Sequence, residues 1–227
     1  LANGIGGLES EDTEGGAAVV MDVRDGGVLA MASYPTFDLT TYTQNYNALL
    51  ADPLEPLKNR ATQEVYPPGS TFKMVTAIAG LEEGIITPDT EILDPGRYLY
   101  YDDYQPQCWI YRQQRGTHGR ENVTDAIKDS CNVFFYDVGR RLGVDAFSQA
   151  AQHLGLAADT GVETAQAGGS LTWTTDDNYR EGLTLQAAIG QGNTAVTPLQ
   201  LASYAASLAN NGVRLRLHYA DRALDST

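Results

Sequence analysis

Positive charge is what this sequence is short of. Its 227 residues carry 15 Lys and Arg against 29 Asp and Glu, a formal net charge of −14 at pH 7. A phosphate backbone needs a basic surface to bind, so a nucleic-acid partner is excluded. Only three of the cations are lysines, at Lys58, Lys73 and Lys128. Cysteine is scarcer still: Cys108 and Cys131 stand alone, and His118, His153 and His218 are scattered, so these residues form no metal motif. The two cysteines are compatible with one disulfide or with two free thiols. No apolar run is long enough to span a bilayer. Internal repeats and low-complexity tracts are also missing. What remains is a globular composition, 42% hydrophobic, sufficient for one sizeable domain.

The chain is organised around Tyr66–Gly84 (Y-P-P-G-S-T-F-K-M-V-T-A-I-A-G-L-E-E-G). Pro67, Pro68 and Gly69 make a rigid non-helical approach. Ser70 then sits at a helix mouth, and Gly84 is the stop. Phe72, Met74, Val75, Ile78, Ala79 and Leu81 leave almost no polar face, which predicts a buried helix. Lys73 is the misfit. It is the only charge between Glu64 and Glu82, and it occupies a first turn where the macrodipole disfavours a cation. Burial and dipole should both lower its pKa. One helical turn separates it from Ser70, so the amine can reach that hydroxyl, a nucleophile beside its activator. The bland alternative is an N-cap serine followed by a surface lysine. The misplaced cation on an apolar helix argues against it.

Elsewhere the patterns are plainer. Leu1–Glu14 reads as a helix end and a Gly-rich acidic loop. Gly16–Ser33 is a hairpin turning at Asp25-Gly26. Tyr34–Val65 is an extended connection with one short helix near Tyr42–Leu50. Ile85–Asn122 is irregular and dense in tyrosine, suiting either a loop layer around a groove or a solvated insertion. Helices are predicted over Val123–Asp129, over Asn132–Leu142 with Val133, Phe134, Val138 and Leu142 on one face, and over Asp145–Leu154. Leu156–Gly182 is loop. It contains Asp159-Thr160-Gly161, a tripeptide of aspartic proteases, but that chemistry needs two copies on a mainly β chain. The last helix starts with a Thr197 cap and Pro198, and ends at Asn211-Gly212. Leu201, Ala205 and Leu208 are its expected buried stripe.

A Ser–Lys acyl enzyme also needs a group that carries the proton to the leaving atom. Ser130-Cys131-Asn132, in a short break between two helices, fits. Ser130 could relay a proton, and the Asn132 amide could hold both Lys73 and a substrate carbonyl.

With these residues assembled, the chain resembles the transpeptidase domain of a class B penicillin-binding protein, of the penicillin-binding protein 2 type. The likeness rests on Gly16–Pro35, Y-P-P-G-S-T-F-K (Tyr66–Lys73), H-G (His118–Gly119), D-S-C-N-V-F-F (Asp129–Phe135) and A-I-G-Q-G-N-T-A-V-T-P-L-Q-L-A (Ala188–Ala202). Met74 follows the motif lysine where bifunctional class A enzymes usually have Pro, favouring class B. The resemblance implies an α+β fold, a β-lactamase/transpeptidase-like α/β sandwich with a sheet between helical layers. It implies D-Ala-D-Ala transpeptidation of peptidoglycan stem peptides through a serine acyl-enzyme, and β-lactams as covalent ligands. By matched position Ser70 is the nucleophile, Lys73 the base, and Ser130 and Asn132 the second motif. No cofactor or metal is implied. The location would be the extracytoplasmic face of the cell membrane. There the parent would be anchored by an N-terminal helix and would work with a membrane glycosyltransferase.

One departure stands out. The family's third motif, K-S/T-G on a strand beside the serine, is missing. The expectation is therefore a single domain over 1–227, cut at its N-terminus and lacking its C-terminal strands. A short or gapped sheet, a cleft open beside Ser70 and slow acylation would follow. Two other functions fit the same motifs: a related serine β-lactamase or D,D-carboxypeptidase, and a non-catalytic scaffold.

Overall fold

The computed structural model describes residues 15–220. In chain order the elements are β1 (Gly16–Met21), β2 (Val28–Tyr34), α1 (Tyr42–Ala51), α2 (Arg60–Gln63), α3 (Lys73–Glu82), β3 (Ile92–Asp94) and α4 (Trp109–Gln114). Then follow β4 (Gly119–Glu121), α5 (Val123–Lys128), α6 (Asn132–Leu142), α7 (Val144–His153), α8 (Glu181–Ala187) and α9 (Pro198–Ala209). They fall into two compact units. One takes the described residues up to Tyr66, Gly155–Gly169 and those from Val196 on; the other takes Pro67–Leu154 and Ser170–Ala195. The reading of Leu1–Glu14 lies outside the described residues.

In the first unit the predicted hairpin is present. β1 and β2 pair antiparallel from Gly16↔Tyr34 to Met21↔Val28, with an irregularity after Val20. Asp25 Oδ1 accepts the Gly27 N–H at 2.9 Å to shape the turn. Gly26 has φ +87°, and a Cβ there would meet the Arg216 carbonyl oxygen at 2.6 Å, so only glycine suits it. Val19, Met21 and Val28 pack on Val162, Leu199 and Leu217. The short helix expected near Tyr42 forms as α1, with no buried residue of its own.

Thr197 caps α9 in a full capping box: its Oγ1 accepts the Gln200 N–H at 3.1 Å, and Gln200 Oε1 accepts the Thr197 N–H at 3.0 Å. The expected stripe is corrected here. Leu199, Gln200, Ser203, Tyr204, Ala206 and Ser207 are the buried side chains of α9, whereas Ala205 is exposed and Leu201 and Leu208 are half-buried. The box rotates Gln200 inward, where its Nε2 donates to the Ala158 carbonyl at 3.0 Å and the Gly168 carbonyl at 2.9 Å. Once satisfied in this way, a polar residue belongs to the core.

The second unit is helical around α3, α6, α7 and α8. α3 packs on α6 and α7, and α6 packs on α8. α6 is buried nearly all round, from Val133 to Gly139, rather than on one face. Phe134, Phe135 and Leu185 are at the centre of the core. The tyrosine-rich stretch is better ordered than expected. It holds an antiparallel pair, β3 with β4, and the short helix α4. Elements of three to six residues carry too few periods to stand out in a sequence. Tyr98 is buried there and donates to Asp137 Oδ1 at 3.0 Å. Tyr101 and Tyr104 line a cavity of about 550 Å³, in keeping with a loop layer around a groove. Among the described residues, the named strands form only two two-stranded sheets, as short as expected.

Candidate active site

Ser70 lies in a 3₁₀ turn, Gly69–Phe72, that runs directly into α3. The bland alternative, an N-cap serine, is not realised: the residue preceding α3 is Phe72, and no side chain caps it. The turn is held from behind. The Gly69 N–H donates to the Gly190 carbonyl at 2.9 Å, and Thr76 Oγ1 donates to the Ala188 carbonyl at 2.8 Å. Gly190 has φ +72°, and a Cβ there would fall 2.3 Å from the Gly69 oxygen. The A-I-G-Q-G segment thus supports the Ser70 turn by close backbone approach.

Lys73 is 2% exposed. Its three N–H donors meet three acceptors: the Ser130 carbonyl at 2.7 Å, Ser130 Oγ at 2.9 Å and Asn132 Oδ1 at 2.6 Å. Ser130 Oγ donates to Ser70 Oγ at 3.1 Å. The four predicted residues are brought together, with one correction. The sequence spacing puts the amine against Ser70; the structure routes it through Ser130, because the Ser130–Asn132 loop captures all three lysine donors. Ser130 has φ +53°, a left-handed conformation that non-glycine residues seldom adopt and that marks functional loops. Burial lowers the Lys73 pKa to about 8, with the neighbouring cysteines and Glu121 acting in the opposite direction. At neutral pH roughly one amine in ten is therefore uncharged.

Hydroxyl protons rotate to suit their partners. While Lys73 is an ammonium, the chain donates from Lys73 to Ser130 to Ser70. Once Lys73 is neutral, the same three atoms can run the other way, drawing the Ser70 proton through Ser130 onto the amine. Ser70, Ser130, Asn132, Tyr136, Ile189 and Gln191 line a cavity of about 380 Å³ that can admit a substrate carbonyl.

A second polar cluster lies behind this one, and the sequence does not reveal it. Asp94, Cys108, His118 and Cys131 each aim one donor atom into a common point, all within 4.8 Å of one another. His118 Nδ1 is 2.8 Å from Asp94 Oδ2 and 3.5 Å from Cys108 Sγ; Cys131 Sγ lies 3.4 Å from the same carboxylate oxygen. Both cysteines are buried free thiols. Backbone N–H groups of Asn132 and Phe134 point at the sulfurs of Cys108 and Cys131, at 3.3 and 3.5 Å.

Burial opposes ionisation of Asp94, but hydrogen bonds from Gly96, His118 and both thiols outweigh it and hold the carboxyl below its usual range. The hydrogen bond from Cys131 draws the Cys108 thiol down. Two sulfurs, an imidazole and a carboxylate are a zinc-type donor set, and a tetrahedral ion bonded at about 2.0–2.3 Å would need only small ligand shifts. The scattered spacing of these residues suggests no metal motif; the β3–β4 pair and the start of α6 nonetheless bring residues 94, 108, 118 and 131 within 4.8 Å of one another. Asp159-Thr160-Gly161 is a structural turn in which Asp159 Oδ1 accepts the Gly161 N–H at 2.8 Å.

A serine and a buried lysine are thus joined through a second serine beside an open cavity in the helical unit. Residues 16–226 match the family model described as "Penicillin binding protein transpeptidase domain", and the chain belongs to that family. It is 36% identical over 210 residues to the peptidoglycan D,D-transpeptidase MrdA of Escherichia coli K12, covering 87% of this chain and 32% of MrdA. Among solved structures, PBP2 of Pseudomonas aeruginosa in complex with WCK 5153 superposes with a TM-score of 0.81 at 31% identity, over 94% of this chain and 51% of that one. The penicillin G acyl-enzyme of Mycobacterium tuberculosis penicillin-binding protein A matches with a TM-score of 0.76 at 30% identity, over 89% and 48%. The chain therefore spans about a third of the curated MrdA proteins and about half of these two structures.

Proposed function

We propose that this chain carries the acyl-transfer centre of a peptidoglycan D,D-transpeptidase, with Ser70 as nucleophile, Lys73 as base, Ser130 as proton relay and Asn132 as the holder of Lys73. The observation that carries the reading is the Ser70–Ser130–Lys73 hydrogen-bond chain ending on an amine whose pKa burial has lowered to about 8. Ser70 Oγ attacks the carbonyl of a D-Ala-D-Ala stem peptide while its proton passes through Ser130 to neutral Lys73. The bond to the terminal D-Ala breaks, and the lysine proton returns through Ser130 to the departing amine. An amine from a neighbouring strand then attacks the acyl-serine and gives up a proton through Ser130 to neutral Lys73, and that proton returns through Ser130 to Ser70 Oγ as the ester bond breaks. A β-lactam acylates the same serine by ring opening.

The family match runs across both units, which supports reading 1–227 as parts of one transpeptidase domain. Stem peptides and β-lactams are its ligands. Similarity to proteins named for peptidoglycan synthesis supports a place on the extracytoplasmic face of the membrane, in a parent anchored there. Likeness to a PBP2 solved with MreC from Helicobacter pylori and to a peptidoglycan synthase complex supports work within an assembly containing a glycosyltransferase. Mass spectrometry after incubation with a penicillin tests the assignment. One adduct on Ser70, abolished in Ser70→Ala, is expected; an adduct on Ser130 overturns it.

A further inference from the structure

Arg112 is the one formally charged side chain among those lining the cavity at Ser70. The chain as a whole carries a net charge of −14, a field that repels anions. A cation at the mouth of its reaction cavity reverses that field locally.

Four other arginines of this unit are engaged. Arg97 and Arg115 lie over the Tyr111 ring at 5.1 and 5.3 Å. Arg140 and Arg141 pair with Asp137. The Arg112 guanidinium is exposed and has no ion pair or side-chain hydrogen bond among the described residues. Its helix, by contrast, is pinned to the catalytic loop. Trp109 Nε1 donates to the Asp129 carbonyl at 3.0 Å, and the Asn132 N–H points at Cys108 Sγ at 3.3 Å. The Arg112 N–H closes the first turn on the Cys108 carbonyl at 3.1 Å. The backbone that presents this arginine is thus fixed relative to Ser130 and Asn132, while its five donors are left open. A planar guanidinium so placed matches a carboxylate through two parallel hydrogen bonds.

Resting on the acyl-transfer reading above, we propose that Arg112 is a specificity-determining residue that binds a carboxylate of the donor stem peptide, at its C-terminus or on a side chain. Trp109 and Tyr136 supply aromatic surface on the same cavity, suited to the apolar part of such a peptide.

The test measures the rate of Ser70 acylation in the full chain with four peptide thioesters. One carries a side-chain carboxylate and the second its amide; the third carries a terminal carboxylate on the leaving group and the fourth a neutral leaving group. The wild type should prefer one carboxylate peptide over its neutral partner by about tenfold, the worth of one charge-assisted hydrogen bond. Arg112→Gln should erase that preference and leave the neutral peptides unchanged, and Arg112→Lys should keep part of it. The pair whose preference vanishes identifies which carboxylate is bound. Added salt should weaken the preference, since the site is exposed. A preference that persists in Arg112→Gln, no preference in the wild type, or an equal slowing of all four peptides overturns the inference. No Ser70 adduct with any peptide or with a penicillin overturns the acyl-transfer reading, and this inference with it.

Discussion

Two polar clusters of one unit share the tripeptide Ser130-Cys131-Asn132, and they behave in opposite ways. Ser130 and Asn132 turn toward Lys73, while Cys131 turns away toward Asp94, Cys108 and His118. The first cluster opens on a cavity and contains the exposed Ser70 hydroxyl and the half-buried Ser130 hydroxyl. The second is buried among core residues, with Asp94, Cys108 and Cys131 each 1% exposed or less. Ser130 is left-handed, Cys131 is extended and Asn132 opens α6, so the chain turns sharply here and sends the Cys131 side chain away from its two neighbours. One loop can therefore serve as reactive wall on one side and structural clasp on the other.

The largest effect should separate the clusters outright. Ser70→Ala should cut penicillin acylation by about 10⁴-fold or more and leave the melting temperature and metal content alone, because Ser70 caps no helix. A Ser70→Ala protein that also loses stability would tie the clusters more closely than the structure does. Ser130→Ala tests the relay. With the link between Lys73 and Ser70 cut, acylation should drop about 10²–10³-fold, the worth of a positioned proton-transfer group. A full rate in that variant would return Lys73 to direct contact with Ser70.

The buried cluster should respond to other perturbations. Zinc content measured by elemental analysis should be about one per chain in the wild type and none in Cys131→Ala. That variant should lose about 2–4 kcal/mol of unfolding free energy, from the lost side chain and the lost ion together. Acylation should fall only as far as the loop loosens. Wild-type protein that binds no zinc would make the cluster a hydrogen-bonded core instead.

The smallest effect is the pH dependence. The Lys73 pKa is lowered from 10.5 to about 8, so the neutral amine becomes more abundant as pH rises. Acylation should increase about tenfold from pH 6 to 7 and level off above about pH 8. The same shift means that the unfolded chain holds the lysine proton more tightly, so this residue lowers stability at neutral pH and stops doing so as pH climbs from about 8 to 10.5. A flat rate profile would remove Lys73 as the base.

Much of the reactive cluster is legible in the residues alone. A lysine inside an apolar helix start is a local inconsistency, and such conflicts gather at functional sites. The hairpin is legible from Asp25-Gly26 between apolar runs, and α9 from Thr197-Pro198. The buried face of α9 is not, because a sequence cannot say that Gln200 will find carbonyls at Ala158 and Gly168. The strands β3 and β4 are three residues each, too short to show alternation. Without that pairing, residues 94, 108, 118 and 131 carry no sign that they meet.

Local conformation and chemical inventory are written in the residues themselves: where the P-P-G-S turn breaks, where helices start, and which serine, lysine, cysteines and histidine are at hand. Those depend on backbone torsions and near neighbours, a range that a string of residues states directly. Packing settles the rest. It gives all the Lys73 donors to a loop nearly sixty residues away and lowers the pKa of that amine by burial. It also joins Asp94 and Cys131 in one centre and leaves Arg112 open at the cavity. Burial and donor–acceptor matching arise between distant segments, and no local pattern encodes which of them will close on one another.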